Sequence, residues 1–588
     1  MKKFIERKPW NFLEEFRGKK FNGEWPTFPE LVKIQCMRFS ERPLFTDFEG
    51  EGASKNTLTY RQAYEKIITL SNWLLQTGLK KGDKVVVSGK NSPEWAVSFI
   101  ATFFAGGIAV PIDTALHQNE VCNLVKTAEP KIALCDDDKI EYLASEFPGL
   151  IVKSLNPTVA GNYVYNLKTD DEPEQNEPVT ENDTAVILFT SGTTGNPKGV
   201  VLTHKNLIAD AFIAQTNLDI FPTDVFYALL PIHHAYTMQA AFICPISCGA
   251  EIVFGKSMSV TRLMKELKEG EISVMLGVPL LYNKLLAGIQ KGIAAKGALV
   301  VSIMGFLQAL SFIIKKLTGK NAGKALFKAV LQQANIYTLR VAICGGGPLA
   351  ASVFRAYNAM GIDFIQGYGL TETSPIIALN PIENFKLTSV GRDFSPYEEI
   401  KIINGEQTVV GGKKVVVGEI AVKGPMVMQG YYNRPEETAK VFTEDGFFKT
   451  GDLGWIDDEH YLMLCGRAKN MIVTNGGKNV YPEEIEDSFQ LCTNIQQITV
   501  QGYTTDEDKT SEEIEALIYP SDDLIKTLGL TREDNSDSAR EKILAEINKD
   551  VSRVNKGLQP YQRITRVTIL EKPLEMTTTQ KVKRNYKK

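Results

Sequence analysis

The run from Leu188 to Val201, LFTSGTTGNPKGVV, sets Thr190, Ser191, Gly192, Thr193, Thr194 and Gly195 ahead of Lys198. Small residues with permissive backbone let consecutive amides approach an anion. Hydroxyls donate to it and a lysine offsets its charge, so the set suits a polyphosphate. The G-x-x-x-x-G-K-[ST] spacing of the common phosphate loop is absent, because Pro197 separates the glycines from Lys198. Kinase or motor-ATPase chemistry is therefore disfavoured. Taken alone, the run also reads as a turn after the apolar strand Ala185 to Phe189.

A second segment, QGYGLTET from Gln366 to Thr373, sets Tyr368 beside Gly369 and follows them with Thr371 and Glu372. Tyr368 suits stacking on a purine, Thr371 contact with phosphate, and Glu372 a hard cation such as Mg²⁺. A strand-end turn with an ordinary tyrosine is the competing reading. Upstream, Gly345 and Gly346 in CGGGP follow the expected strand Arg340 to Ile343 and allow close backbone approach to a nucleotide. A simple turn explains that run as well.

A third constellation joins GDLGW, with Asp452, to GRAKN, with Arg467 and Lys469. Asp452 has the chemistry to accept from both hydroxyls of a ribose, and Arg467 can bridge sugar or phosphate oxygens. Near the end, in TTTQKVKR, Lys581 can neutralise charge developing between a carboxylate and an α-phosphate. Surface turns and a basic tail remain open as local readings.

Together these motifs resemble the superfamily of acyl- and aryl-CoA synthetases, adenylation domains and luciferases, along nearly the whole chain. The segment Gly418 to Tyr432, GEIAVKGPMVMQGYY, also matches its pattern. The resemblance implies that the loop through Lys198 engages ATP phosphates, that Tyr368 packs near adenine, and that Glu372 holds Mg²⁺. It implies that Asp452 holds ribose, that Arg467 serves the nucleotide, that Lys581 drives adenylation, and that Lys469 is a hinge. The reaction implied is attack of a carboxylate on ATP, giving an acyl adenylate and pyrophosphate, then acylation of a thiol such as that of CoA. Activation is needed because a carboxylate oxygen is a poor leaving group, whereas AMP leaves with its charge held by fixed donors.

In LPIHHAY the neighbours His233 and His234 lack the further ligands of a zinc site, and a wall-forming role is favoured. His234 matches a superfamily position between the acyl pocket and ATP. The eight cysteines show no C-x-x-C pair, so reduced core thiols are expected.

The elements that must position these residues belong to a 588-residue chain with 43% hydrophobic content, enough for more than one domain. Its formal net charge of -4 gives no global basis for nucleic-acid binding. The opening residues lack the apolar core of a signal peptide, and a cytoplasmic location is expected. A helix is expected over 59–77, a strand at Lys84 to Ser88, a helix from Trp95 to Ala105, and an exposed connection from Thr169 to Asp183. Alternating strands and helices indicate an α/β fold: a large multi-layer amino-terminal adenylation domain, 1–468, and a smaller mobile α+β domain, 469–588.

Between Leu281 and Arg340 lies an insertion-like segment whose apolar run Leu299 to Ile314 precedes Lys315, Lys316, Lys320, Lys324 and Lys328. This insert resembles that of bacterial long-chain fatty acyl-CoA synthetases, and Gln580 replaces the glycine common before the adenylation lysine, Lys581 here, in many shorter-substrate relatives. The expectation is a long-chain fatty acid-CoA ligase using ATP, Mg²⁺ and CoA. The alternatives are a fatty acyl-acyl carrier protein synthetase and a non-catalytic nucleotide-responsive interaction protein. The apolar run is marginal for spanning a bilayer. It is expected to touch the inner face of a membrane peripherally or to cap an acyl tunnel, with a plain core or dimer-facing helix as the other reading.

Overall fold

The computed structural model describes residues 4–50, 54–158, 161–169, 173–190, 197–257, 259–347, 349–410, 412–474, 478–504, 512–534, 536–576 and 582. Ser191, Gly192, Thr193, Thr194, Gly195 and Lys581 lie outside the described residues.

Apolar side chains of the central strands point alternately to two cores. In Lys84–Ser88, Val85 and Val87 enter one core and Val86 another. In Val274–Gly277, Val274 and Leu276 oppose Met275, and in Val341–Cys344, Val341 and Ile343 oppose Ala342 and Cys344. Strands apolar on both faces need cover on both, which helices supply. The helix Tyr60–Gln76 begins where Thr59 and Gln62 form a capping box, close to the expected bounds. The next helix is Pro93–Phe104: it starts before Trp95 because Ser92 accepts from the Trp95 amide at 3.1 Å and Pro93 suits a first turn.

A seven-stranded sheet runs in the order Gly430–Tyr431, Lys198–Thr203, Thr184–Thr190, Ile108–Pro111, Lys84–Ser88, Ile132–Cys135 and Ile151–Ser154. A 13-stranded sheet contains a parallel block of Pro43–Asp47, Glu251–Phe254, Val225–Ala228, Val274–Gly277, Val341–Cys344 and Asp363–Gly369. One apolar core joins both sheets through the helices Phe28–Phe39, Pro93–Phe104 and His204–Ala214.

A separate core gathers Ile472, Val480, Ile485, Val500, Ile518 and Ile547 around the sheet of Ile495–Tyr503, Glu513–Pro520 and Arg566–Ile569, with the helix Asp537–Asn555 against it. The chain is thus a two-domain α/β protein, with a large mixed-sheet amino-terminal domain and a smaller carboxyl-terminal one. The apolar run of the insert is the 21-residue helix Ala298–Thr318.

Candidate active site

The sheets bring the separate motifs to one edge. Gly277 pairs with Cys344, and Cys344 with Gln366, so three parallel strands end side by side where the glycine turn and QGYGLTET begin. The carboxyl ends of parallel strands are where open α/β sheets bind ligands. The Tyr236 hydroxyl donates to Ile343 O at 3.1 Å, and a Cβ on Gly345 would stand 2.9 Å from the Tyr236 ring. Tyr236, next to the histidines in sequence, therefore packs on the glycine turn. Gly346 has φ 80°, a left-handed backbone that favours glycine.

Two hydrogen-bonded groups extend from the ends of QGYGLTET. In the first, the Tyr368 hydroxyl donates to Asp452 Oδ2 at 2.6 Å, and Arg467 Nε lies 2.6 Å from Asp452 Oδ1. Asp452 and Arg467 face each other across the antiparallel strands Phe448–Ile456 and Tyr461–Arg467, which explains how residues fifteen apart meet. Burial, and then the Asp452 charge, push the Tyr368 phenol well up, so it remains a donor.

In the second group, Glu372 lies in the 3-10 turn Thr371–Thr373, and its Oε1 accepts from the Tyr431 hydroxyl at 2.9 Å. The Met428 amide donates to Glu372 O at 2.8 Å, and Ser374 Oγ donates to Met426 O at 2.8 Å, so GPMVMQGYY backs the turn. Gly369 permits the fold-back: a Cβ there would lie 1.7 Å from Pro375 O. Thr190 and Lys198 are cross-strand partners at the base of the hairpin. Lys198 Nζ sits 5.0 Å from the Tyr431 ring centre and 2.5 Å from Glu437 Oε2.

The histidine segment is clamped by Asn91, whose Nδ2 donates to Ala228 O at 2.8 Å and Leu230 O at 2.9 Å while Oδ1 accepts from the Ile232 amide at 3.0 Å. His234 precedes the short helix Ala235–Met238, with its ring centre 4.2 Å from that of His233. Asp113, from beyond the strand Ile108–Pro111, puts Oδ2 3.5 Å from His233 Nε2. A third ligand-type group thus stands close to both histidines, and the three offer atoms within 4.8 Å of one another. Sequence spacing did not reveal it, because Asp113 comes from the other sheet.

Sequence reasoning also passed over Tyr431, Glu437, Tyr236 and Asn91. Tyr431 lies within the quoted GEIAVKGPMVMQGYY motif, but nothing local singles out its hydroxyl. Lys469 lies in the 3-10 turn Ala468–Asn470, between the strand ending at Arg467 and Ile472 of the smaller core. All eight cysteines are free. Burial pushes the Cys135 and Cys248 thiols up to about 12, which suits inert core thiols.

A family model described as AMP-binding enzyme matches residues 32–432. The long-chain-fatty-acid--[acyl-carrier-protein] ligase AEE15, chloroplastic, of Arabidopsis thaliana is 26% identical, with 96% of this chain and 85% of the relative covered. The long-chain-fatty-acid--CoA ligase ACSBG1 of Rattus norvegicus is 29% identical over 74% of this chain and 63% of its own. Among solved structures, the ATP-bound RpMatB-BxBclM chimera B1 superposes with a TM-score of 0.71 at 25% identity, covering 95% of this chain and 97% of that one.

Proposed function

The chain belongs to the AMP-binding enzyme family, and from that premise we propose that it is a long-chain fatty acid-CoA ligase. Its reaction class is ATP-dependent, AMP-forming acid-thiol ligation through an acyl adenylate. The observation that carries the residue assignment is the line Tyr368, Asp452 and Arg467 at the sheet edge. Asp452 is 6% exposed and already oriented by two donors, so ribose hydroxyls would meet a carboxylate whose geometry is set beforehand. Tyr368, on the strand Asp363–Gly369, would offer its ring to the base.

Thr190 and Lys198 flank the glycine and threonine run in sequence, where they would position the phosphates, and Gly345 and Gly346 would allow close approach of their backbone to the nucleotide. Glu372 fits a hard cation: it is a half-buried carboxylate on a braced turn, with oxygen donors only. Mg²⁺ there would draw charge from phosphate oxygens. Thr371 precedes it and would donate to phosphate. Lys581 would supply the charge that stabilises the attack of carboxylate on the α-phosphate, and Lys469 the rotation that replaces it with a thiol entrance. His234, held by the Asn91 clamp, would shape the acyl side, since the acid is already ionised near neutral pH.

Support for a long acyl chain comes from relatives named for long-chain fatty acids, one aligned with 96% of this chain. The same relative names an acyl-carrier-protein acceptor, which favours fatty acyl-acyl carrier protein ligation as the second reading. Incubating the protein with ATP, Mg²⁺ and a fatty-acid panel, with CoA or purified acyl carrier protein, and identifying products by mass spectrometry tests both. Long-chain acyl-CoA is expected. Thioester on carrier protein alone would move the acceptor, and absence of adenylate with every long acid, despite bound ATP, would overturn the fatty-acid reading.

A further inference from the structure

From Ile272 to Ile362 the sequence holds eight lysines and two arginines and no aspartate or glutamate, in a chain whose formal net charge is -4. The helix Ala298–Thr318 lies in the middle of this stretch. Its inner face is stapled to the domain: Lys315 Nζ donates to Asn358 Oδ1 at 2.5 Å and lies 2.7 Å from Asp363 Oδ1, and Phe312 packs towards Phe385. Its outer face is a stripe of Leu299, Ile303, Phe306, Leu310, Ile313 and Leu317, all exposed, with Phe306 at 67% and Leu317 at 78%. In the first turns Ala298, Leu299, Val301, Ser302, Ile303, Gly305 and Phe306 are exposed around the helix, so this end stands out from the body. No charged residue occurs between Gly297 and Ile314.

We propose that this helix docks the protein in the plane of an anionic lipid surface. The stripe and the protruding end would sink among acyl chains, while Lys284, Lys291, Lys296, Lys316, Lys320 and Lys328, all exposed, would meet lipid phosphates around it. Apolar lysine stems let the amines reach the headgroup level. The helix is long and apolar enough to cross a bilayer. The buried Lys315 and its partners hold one face against the protein, so an in-plane pose is the one compatible with the fold. The stripe repeats every three or four residues, a spacing that also fits a second helix. Self-pairing would set two acid-free basic segments against each other, with no carboxylate of that segment to bridge them. Charge therefore selects anionic lipid over a second copy.

The test uses the full chain without ATP, acid or thiol, so its outcome is independent of the fatty-acid reading. Flotation is measured with vesicles of phosphatidylcholine alone and of phosphatidylcholine mixed with phosphatidylglycerol. At least about tenfold tighter binding to the anionic vesicles is expected, and the triple variant Lys316→Glu, Lys320→Glu, Lys328→Glu should abolish that preference. In Phe306→Trp, the added indole emission should shift to the blue with anionic vesicles only. Equal binding to both vesicle types, a triple variant that keeps its preference, or an unshifted indole overturns the proposal. So does a dimer in sedimentation that buries Trp in Phe306→Trp without vesicles.

Discussion

Lys198 Nζ stands 2.5 Å from Glu437 Oε2, so the cation that follows the glycine and threonine run in sequence already has a carboxylate partner. Arg434 holds the same carboxylate at 2.6 Å. Lys198 first, and Arg434 second, keep the Glu437 carboxyl below the usual range, so the pair persists at neutral pH. A phosphate that bound Lys198 would have to compete with Glu437 for it.

Glu437→Gln should therefore release Lys198 and lower the KM for ATP. A partly exposed pair is worth about 0.2–1 kcal/mol, which sets a fall of up to about fivefold. Lys198→Ala should raise the same KM. Steady-state kinetics at fixed Mg²⁺ checks it, and a rise in Glu437→Gln as large as in Lys198→Ala would show that Glu437 assists ATP directly.

Tyr431→Phe should raise the Mg²⁺ concentration needed for half-maximal pyrophosphate exchange, because Glu372 loses the donor that aims its carboxylate. A hydrogen bond to a charged group contributes about 1.5–3 kcal/mol, of which a variant that keeps the ring would lose part, or about three- to tenfold in Mg²⁺ requirement. Burial, then the Glu372 charge, push the Tyr431 phenol up, so it remains a donor at neutral pH. An unchanged Mg²⁺ titration would separate Tyr431 from the cation site.

Lys581→Ala should depress adenylate formation about 10²–10³-fold while sparing thioester formation from supplied acyl-AMP. Lys469→Pro should do the reverse, since proline would fix φ in the turn proposed to rotate. Measuring the half-reactions separately decides the matter. A folded Lys469→Pro protein with both near the parent rate would place the hinge elsewhere.

Asp487 lies on the short helix Pro482–Asp487 beside Gln490, whose Oε1 accepts from the Ala350 amide at 2.7 Å across the two domains. Burial raises the Asp487 carboxyl to about 7, opposed by Gln490 and reinforced by Glu483 and Glu484. A raised carboxyl contributes stability that is complete below the unfolded value of about 4 and is lost as pH rises through about 7. Stability should thus decline from pH 5 to 8, and Asp487→Asn should recover about 1 kcal/mol at pH 8, a small figure because solvent screens the group. Urea midpoints across that range check it, and parallel profiles would remove Asp487 as the cause.

The sequence by itself determined the local elements and which side chains are candidates for the chemistry. Thr59 with Gln62 starts a helix, Lys84 to Ser88 alternates its valines between two cores, and QGYGLTET carries its aromatic and its carboxylate within five positions. These depend on neighbours along the chain, through periodicity, caps and glycine. Tertiary structure alone decided which groups meet. Asp452 reaches Tyr368, Tyr431 reaches Glu372, Asp113 reaches His233, and Asn91 clamps the histidine segment, because strands distant in sequence, in two different sheets, end close together. The exposed stripe on Ala298–Thr318 was equally hidden. A 21-residue apolar helix has the same sequence whether its outer face packs or protrudes, and only the buried Lys315 contact shows which face turns inward.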